Sequence, residues 1–128
     1  MSLPASAARL LIADDDVGVR GVLEEFLCAD YECEAVGSAE EALALLGVGR
    51  FQLVISDIAM EGMTGLEMIP RVRAQSPDTL VIMVSGSQTI ESAVEAMRAG
   101  AFDYITKPFD LDHVALAVRR AKIGRAHV

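Results

Sequence analysis

Four short apolar runs and one alternating run divide this chain at regular intervals. Arg9-Leu10-Leu11-Ile12-Ala13 stops on Asp14-Asp15-Asp16, and Leu53-Val54-Ile55 stops on Ser56-Asp57. Leu80–Val84 stops on Ser85-Gly86-Ser87, and Phe102–Thr106 stops on Lys107-Pro108. Short unbroken aliphatic runs suit strands buried on both faces of a parallel sheet. Tyr31–Val36 alternates polar and apolar residues, as an edge strand does. Between the runs the period changes to that of a helix. Val19, Val22, Leu23, Phe26 and Leu27 share one helical face, and Ile90, Ala93, Val94 and Met97 share another before Gly100. Leu111, Val114, Ala115 and Val118 form the predicted inner face of a last helix, capped by Asp110 and running to Ala121.

Two further helices announce their starts. Ser38-Ala39-Glu40-Glu41 and Thr64-Gly65-Leu66-Glu67 have the form of capping boxes, in which hydroxyl and carboxylate satisfy each other's free backbone amides. The first helix is predicted to run through Leu46 and to be closed by Gly47 and Gly49. The second runs towards Ala74 with Pro70 inside it, which predicts a kink or a weak turn. Strand and helix therefore alternate throughout, the pattern of a doubly wound α/β sheet with right-handed crossovers. Parallel strands place their carboxyl ends on one edge, where open α/β sheets bind ligands. The residues brought there are Asp14, Asp15, Asp57, Ser85 and Lys107.

Composition narrows what such an edge can do. At 128 residues with 52% hydrophobic content, the chain is one domain with a single well-buried core. A net charge of −8 argues against binding nucleic-acid phosphates directly and leaves room for a cation. No apolar run approaches the roughly 20 residues needed to span a bilayer. Met1–Ser6 lacks the pattern of a signal peptide and reads as partly vector-derived. Cys28 and Cys33 read as small buried core residues in a reducing cytoplasm, and no Cys/His pattern offers a metal site.

Crowded carboxylates repel, so one stays protonated or a cation joins them. Oxygen ligands without sulfur or imidazole select Mg²⁺ or a similar hard ion. A carboxylate so placed can attack phosphorus and form an acyl phosphate. Lys107 would supply one positive charge, and the Ser85 hydroxyl a hydrogen bond to a phosphoryl oxygen. Taken singly, Asp57 reads as a cap or turn residue, Asp14 and Asp15 as helix-capping acids and Asp16 as the cap itself. On the same footing Ser85 is a turn residue, Lys107 a solvated lysine and Tyr104 an edge-strand aromatic. The combination at successive strand ends is what points to chemistry.

With these residues in place the chain resembles the receiver domains of two-component response regulators, from Arg9 to about Lys122. The resemblance is carried by Leu11–Asp16 with Arg20, by Ile55-Ser56-Asp57 with Met60 and Gly65, by Val84-Ser85-Gly86, and by Tyr104–Phe109. The stretch Glu91–Asp110 looks most like receivers attached to sigma-54-dependent transcriptional activators. The resemblance implies a flavodoxin-like (βα)5 fold with strand order 2-1-3-4-5. It implies that Asp57 accepts a phosphoryl group from a sensor histidine kinase, that Asp15 ligates Mg²⁺ directly and Asp14 through water, and that the Ala59 carbonyl is a further ligand. Ser85 and Lys107 would bind the phosphoryl group, with a cis peptide at Lys107-Pro108. Ser85 and Tyr104 would act as the switch pair. Ala59 and Ser87 would set the acyl-phosphate lifetime. Both are small, which suggests easy water access and a short-lived phosphoaspartate. The face formed by the Thr89–Ala99 helix, the Tyr104 strand and the last helix would then pass the change to an output domain, possibly DNA-binding, or to a second copy. Residues 1–8 would be a disordered or tag-derived leader, 9–122 the receiver, and 123–128 the start of a linker or tail, in a cytoplasmic protein excised from a longer regulator.

The chain departs from that family where proline usually follows Met60: Glu61 and Gly62 stand there, and Thr64 replaces a common acid before Gly65. Loop rigidity and kinase recognition are the properties in question. Other readings remain open here. Asp14-x-Asp16 loosely matches aspartate-nucleophile phosphatases of the haloacid dehalogenase type, which would use Asp14 and leave Asp57 unexplained. A flavodoxin would need a hydroxyl-rich phosphate loop after the first strand, and a pure interaction module would need no acceptor.

Overall fold

The computed structural model describes residues 8–123 and shows five strands alternating with five helices. In chain order these are β1 (Arg9–Ala13), α1 (Val17–Leu27), β2 (Glu32–Val36), α2 (Ala39–Val48), β3 (Leu53–Asp57), α3 (Gly65–Gln75), β4 (Leu80–Ser85), α4 (Ile90–Ala99), β5 (Asp103–Thr106) and α5 (Leu111–Arg120). The sheet is parallel with order β2-β1-β3-β4-β5, the order expected from the resemblance. Ala8 is buried and its carbonyl accepts from the Glu32 amide, so the strand pairing begins beside it. The expectations for residues 1–7 and 124–128 fall outside the described residues.

Alternation along each strand sorts the core into two layers. Leu10, Ile12, Leu53, Ile55, Ile82, Val84 and Ile105 face α1 and α5. Leu11, Ala13, Val54, Val81 and Met83 face α2, α3 and α4. Successive strand residues point to opposite faces, so an unbroken apolar run is what a sheet covered on both sides requires. Each large aliphatic side chain buried this way contributes about 1.5–3 kcal/mol. That burial fixes the register, because a slip of one residue would exchange the two layers.

Several local expectations need correction. Gly47 lies within α2, and Gly49 is its cap with extended backbone (φ −150°). Packing of Ala39, Ala42 and Leu46 carries the helix past the first glycine. Thr64 and Glu67 form the expected capping box. At Ser38 the box is open: Ser38 Oγ accepts from the Glu41 amide, but the Glu41 carboxylate takes the Gly37 amide at 3.2 Å. Helix α3 runs through Pro70 because Met68, Ile69 and Val72 are buried on its inner side while Pro70 faces solvent. Cys28 is the exposed C-cap of α1 and Cys33 is only half-buried, so neither is a core residue. Helix α4 buries Ala96 and leaves Ile90, Val94 and Met97 on its outer surface. The inner face of α5 is Val114, Ala117 and Val118 with half-buried Leu111 packed beside them, as expected, whereas Ala115 lies with Leu111 on a groove of about 650 Å³ against α1.

Candidate functional site

Every residue assigned to the carboxyl edge reaches it. Asp14 follows β1 directly, Asp57 ends β3, Ser85 ends β4, and Lys107 follows β5. Lys107 Nζ lies 3.0 Å from Asp14 Oδ2 and 3.4 Å from Asp57 Oδ2. Carboxylate oxygens of Asp14, Asp15 and Asp57 lie within 4.8 Å of one another. Asp14 is 2% and Asp57 6% exposed, while Asp15 is open to solvent.

The backbone holds this geometry from several sides. Asp14 Oδ1 accepts the Asp16 amide, and Asp16 in turn caps α1, which confirms the bland reading of that one acid. Arg20, one turn into α1, donates to the Asp14 carbonyl at 3.1 Å. The Ile58 amide continues the ladder to the Val84 carbonyl, so the chain leaves β3 without a break after Asp57. Gly65 then packs directly on the Asp57 carbonyl oxygen, where a Cβ would overlap it. The Lys107-Pro108 peptide is cis, as the resemblance implied, and the Lys107 amide donates to the Ser85 carbonyl at 2.7 Å.

Charge follows from this arrangement. Burial pushes the Asp57 carboxyl above its ordinary value, and the neighbouring Asp14 adds to the effect. Lys107 and the Ala59 amide oppose them. For Lys107, burial works against the charge, but hydrogen bonds and attraction from Asp14 and Asp57 outweigh it and raise its value. With all groups ionised, three carboxylates face one ammonium, and two negative charges remain uncompensated. The donors are oxygens alone, buried on two sides and open on the third. That set fits a hard divalent cation and not a thiophilic one.

Ser85 and Tyr104 meet through a third residue. Ser85 is 6% exposed; its hydroxyl accepts the Ser87 amide at 3.1 Å, and the Tyr104 hydroxyl donates to the Ser87 carbonyl at 2.7 Å. Ser87 Oγ bonds Ser92 on α4 at 2.9 Å. Ser87 thus ties the Ser85 hydroxyl, β5 and α4 together. Ala59 is exposed in the loop after Asp57. The sequence reading passed over Glu40, which accepts the Met63 amide of that loop at 3.1 Å. No pattern marked it, because a glutamate in the first turn of a helix is common for reasons of helix dipole alone.

Comparison with known proteins agrees with this geometry. The family described as response regulator receiver domain matches residues 10–119. The DNA-binding transcriptional regulator NtrC of Azospirillum brasilense is 38% identical over 117 residues, covering 91% of this chain and 24% of that protein. The response regulator protein FleR of Pseudomonas aeruginosa is 38% identical over 120 residues, covering 93% and 25%. The BeF3-activated DrrB receiver domain superposes with a TM-score of 0.85 at 25% identity, covering 91% of this chain and 97% of that one. The chain therefore spans about a quarter of the length of these curated relatives. The expected kinship with receivers of sigma-54-dependent activators is borne out. The phosphatase and flavodoxin readings fall, since neither accounts for a receiver match over nearly the whole sheet. By its sequence, its strand order and the cluster at its carboxyl edge, this chain belongs to the response regulator receiver domains, which are phosphorylation-activated switches and not free-standing enzymes.

Proposed function

We propose that Asp57 is the phosphoacceptor and that Asp14, Asp15, Asp57 and the Ala59 carbonyl hold Mg²⁺. The observation that carries this is Lys107 Nζ placed between Asp14 and Asp57, beside three carboxylates within 4.8 Å. An Asp57 oxygen attacks the phosphorus of a kinase phosphohistidine. A P–O bond forms, the P–N bond breaks, and the imidazole leaves. Lys107 stays charged well above neutral pH and balances a phosphoryl oxygen, while the Ser85 hydroxyl donates to another. Held by Asp14, Asp15, Asp57 and the Ala59 carbonyl, Mg²⁺ would supply charge neutralisation for the transferred phosphoryl group. The chain's part is placement: a buried acceptor at a rigid strand end, with little chemistry beyond positioning.

When Ser85 turns to the phosphoryl group, its bond to the Ser87 amide is given up, and the tie to Tyr104 and α4 is released with it. The exposed Ile90, Val94 and Met97 then change their preferred partner, an output domain or a second copy. Phosphate shifts this balance only by the contacts it adds in one state. The partners are a sensor histidine kinase and an output domain of a longer, cytoplasmic regulator. No helix among the described residues is long and apolar enough to cross a membrane. The test is intact-mass spectrometry after incubation with acetyl phosphate, with and without Mg²⁺. A Mg²⁺-dependent phosphoryl adduct on the wild type, absent from Asp57→Asn, is expected. An unmodified wild type after rapid quench would point instead to an interaction module, with Glu61 the first suspect.

A further inference from the structure

The loop between β3 and α3 carries the Ala59 carbonyl, and its two ends are anchored differently from its middle. At the start, the Ile58 carbonyl accepts both the Met60 amide at 3.2 Å and the Gly65 amide at 2.9 Å, and Met60 is buried. At the far end, Thr64 and Glu67 close the capping box of α3. Between them lie Glu61, Gly62 and Met63, with glycine where φ is +81° and no proline to stiffen the backbone. Among the described residues, the polar tether of this middle stretch comes from outside the loop. Glu40 Oε2, on the first turn of α2, accepts the Met63 amide at 3.1 Å. The same carboxylate lies flush on Gly62, where a Cβ would stand 3.0 Å from Oε2 and 3.6 Å from Oε1. The positive φ at Gly62 and the absence of its side chain are thus both used by the contact.

We infer that Glu40 is a positioning residue for the phosphorylation site, holding the β3–α3 loop so that the Ala59 carbonyl is presented to the cation. The inference rests on the reading of Asp57, Asp14 and Asp15 given above. A strap from α2 does from outside what a proline would do within the loop, by reducing the conformations the loop must give up when a ligand binds. It also couples α2 to the site, since any partner that draws the Glu40 carboxylate away loosens the loop.

The charge of Glu40 near the α2 N-terminus has a separate effect, a favourable interaction with the helix dipole. Glu40→Gln keeps an acceptor oxygen and loses the charge, and Glu40→Ala loses both. Three readouts on the full chain separate these roles: the melting temperature, hydrogen exchange of the Met63 amide, and the Mg²⁺ dissociation constant by calorimetry. Both variants are expected to melt slightly lower. Only Glu40→Ala is expected to lose protection at Met63 and to bind Mg²⁺ roughly three- to tenfold more weakly, the scale of one hydrogen bond. Equal loss of Mg²⁺ affinity in both variants would assign the effect to charge and overturn the inference. So would unchanged exchange at Met63 in Glu40→Ala. Failure of the underlying reading has a different signature: Mg²⁺ binding in the wild type that is unaffected by Asp57→Asn or Asp15→Asn.

Discussion

Lys107 Nζ donates to Asp14 Oδ2 at 3.0 Å although the two residues are 93 positions apart in the chain. The pair joins the carboxyl ends of β1 and β5, which are not neighbours in the sheet, across the buried Asp57. Lys107→Met should leave two buried carboxylates without their counter-ion. Because the lysine is partly exposed, we expect a loss of about 1–3 kcal/mol in the metal-free protein, less than for a fully buried pair. Saturating Mg²⁺ should restore more stability to the variant than to the wild type. Urea unfolding with and without the ion measures both. A variant as stable as the wild type without metal would mean that Asp14 and Asp57 need no neutralisation.

Asp57 should cost the metal-free fold stability at neutral pH. Burial and Asp14 raise its carboxyl above the ordinary value of 3.8, so the folded chain binds this proton more tightly than the unfolded chain does. Stability then falls as pH rises from the unfolded value through the raised folded one, and the loss persists above it. Asp57→Asn removes that loss. The variant should melt higher than the wild type at pH 7 without Mg²⁺, and the gap should close towards pH 3. Thermal unfolding across pH gives the comparison. A wild type that is the more stable of the two at pH 7 would show that Lys107 and the Ala59 amide outweigh burial.

Gly65 is buried against the Asp57 backbone carbonyl, and the obstacle to a side chain there is main chain that cannot turn aside. Gly65→Ala should cost about 1–3 kcal/mol, the usual range for overpacking. Any protein that still folds should take up phosphoryl groups more slowly, because the loop must shift away from its acceptor. Chemical denaturation and adduct formation read the two effects separately.

How much of this was legible in the sequence depends on how local the cause is. The runs Leu10–Ala13, Leu53–Ile55 and Leu80–Val84 fell where strands are, because a buried parallel strand needs apolar residues on both faces. The edge set of Asp14, Asp57, Ser85 and Lys107 followed from that alone. Helix α4 was placed but its outer face was not, since periodicity shows that Ile90, Val94 and Met97 share a side and not what covers it. Gly47 misled because helix ends are set by packing as well as by propensity, and Ala42 and Leu46 hold that turn in place. Glu40 was invisible for a further reason. Its partner, the Met63 amide, is a backbone group 23 residues away, and backbone leaves no mark in sequence.

The two cysteines should differ sharply in reactivity. Cys28 caps α1 in the open, while burial, with Cys28, Glu24 and Glu32 nearby, pushes the Cys33 thiol up to about 12. Thiolate is the nucleophile, so Cys33 stays unreactive at ordinary pH. Iodoacetamide at pH 8 should alkylate Cys28 and leave Cys33 untouched in the folded protein, with both modified in urea. Peptide mapping reads the sites. Equal labelling in the folded state would mean that β2 opens readily at the sheet edge.

The lifetime of the phosphoaspartate turns on who occupies the approach to it. Decay requires water to reach the acyl phosphate opposite the leaving carboxylate, and on the proposed function two small residues, Ala59 and Ser87, would border that approach. They are not equivalent as probes. The Ser87 hydroxyl bonds Ser92 at 2.9 Å and Thr89 at 3.2 Å, so replacing it disturbs the start of α4 along with the access. Ala59 is exposed and its side chain makes no polar contact, so a longer residue there adds cover and removes nothing. Ala59→Arg or Ala59→Lys should slow loss of the phosphoryl adduct severalfold while leaving its formation dependent on Asp57 and Mg²⁺. The measurement is the decay of the intact-mass adduct after acetyl phosphate is removed. Decay at the wild-type rate would show that water arrives from another side, and would move attention to Ser87 and the β4–α4 loop.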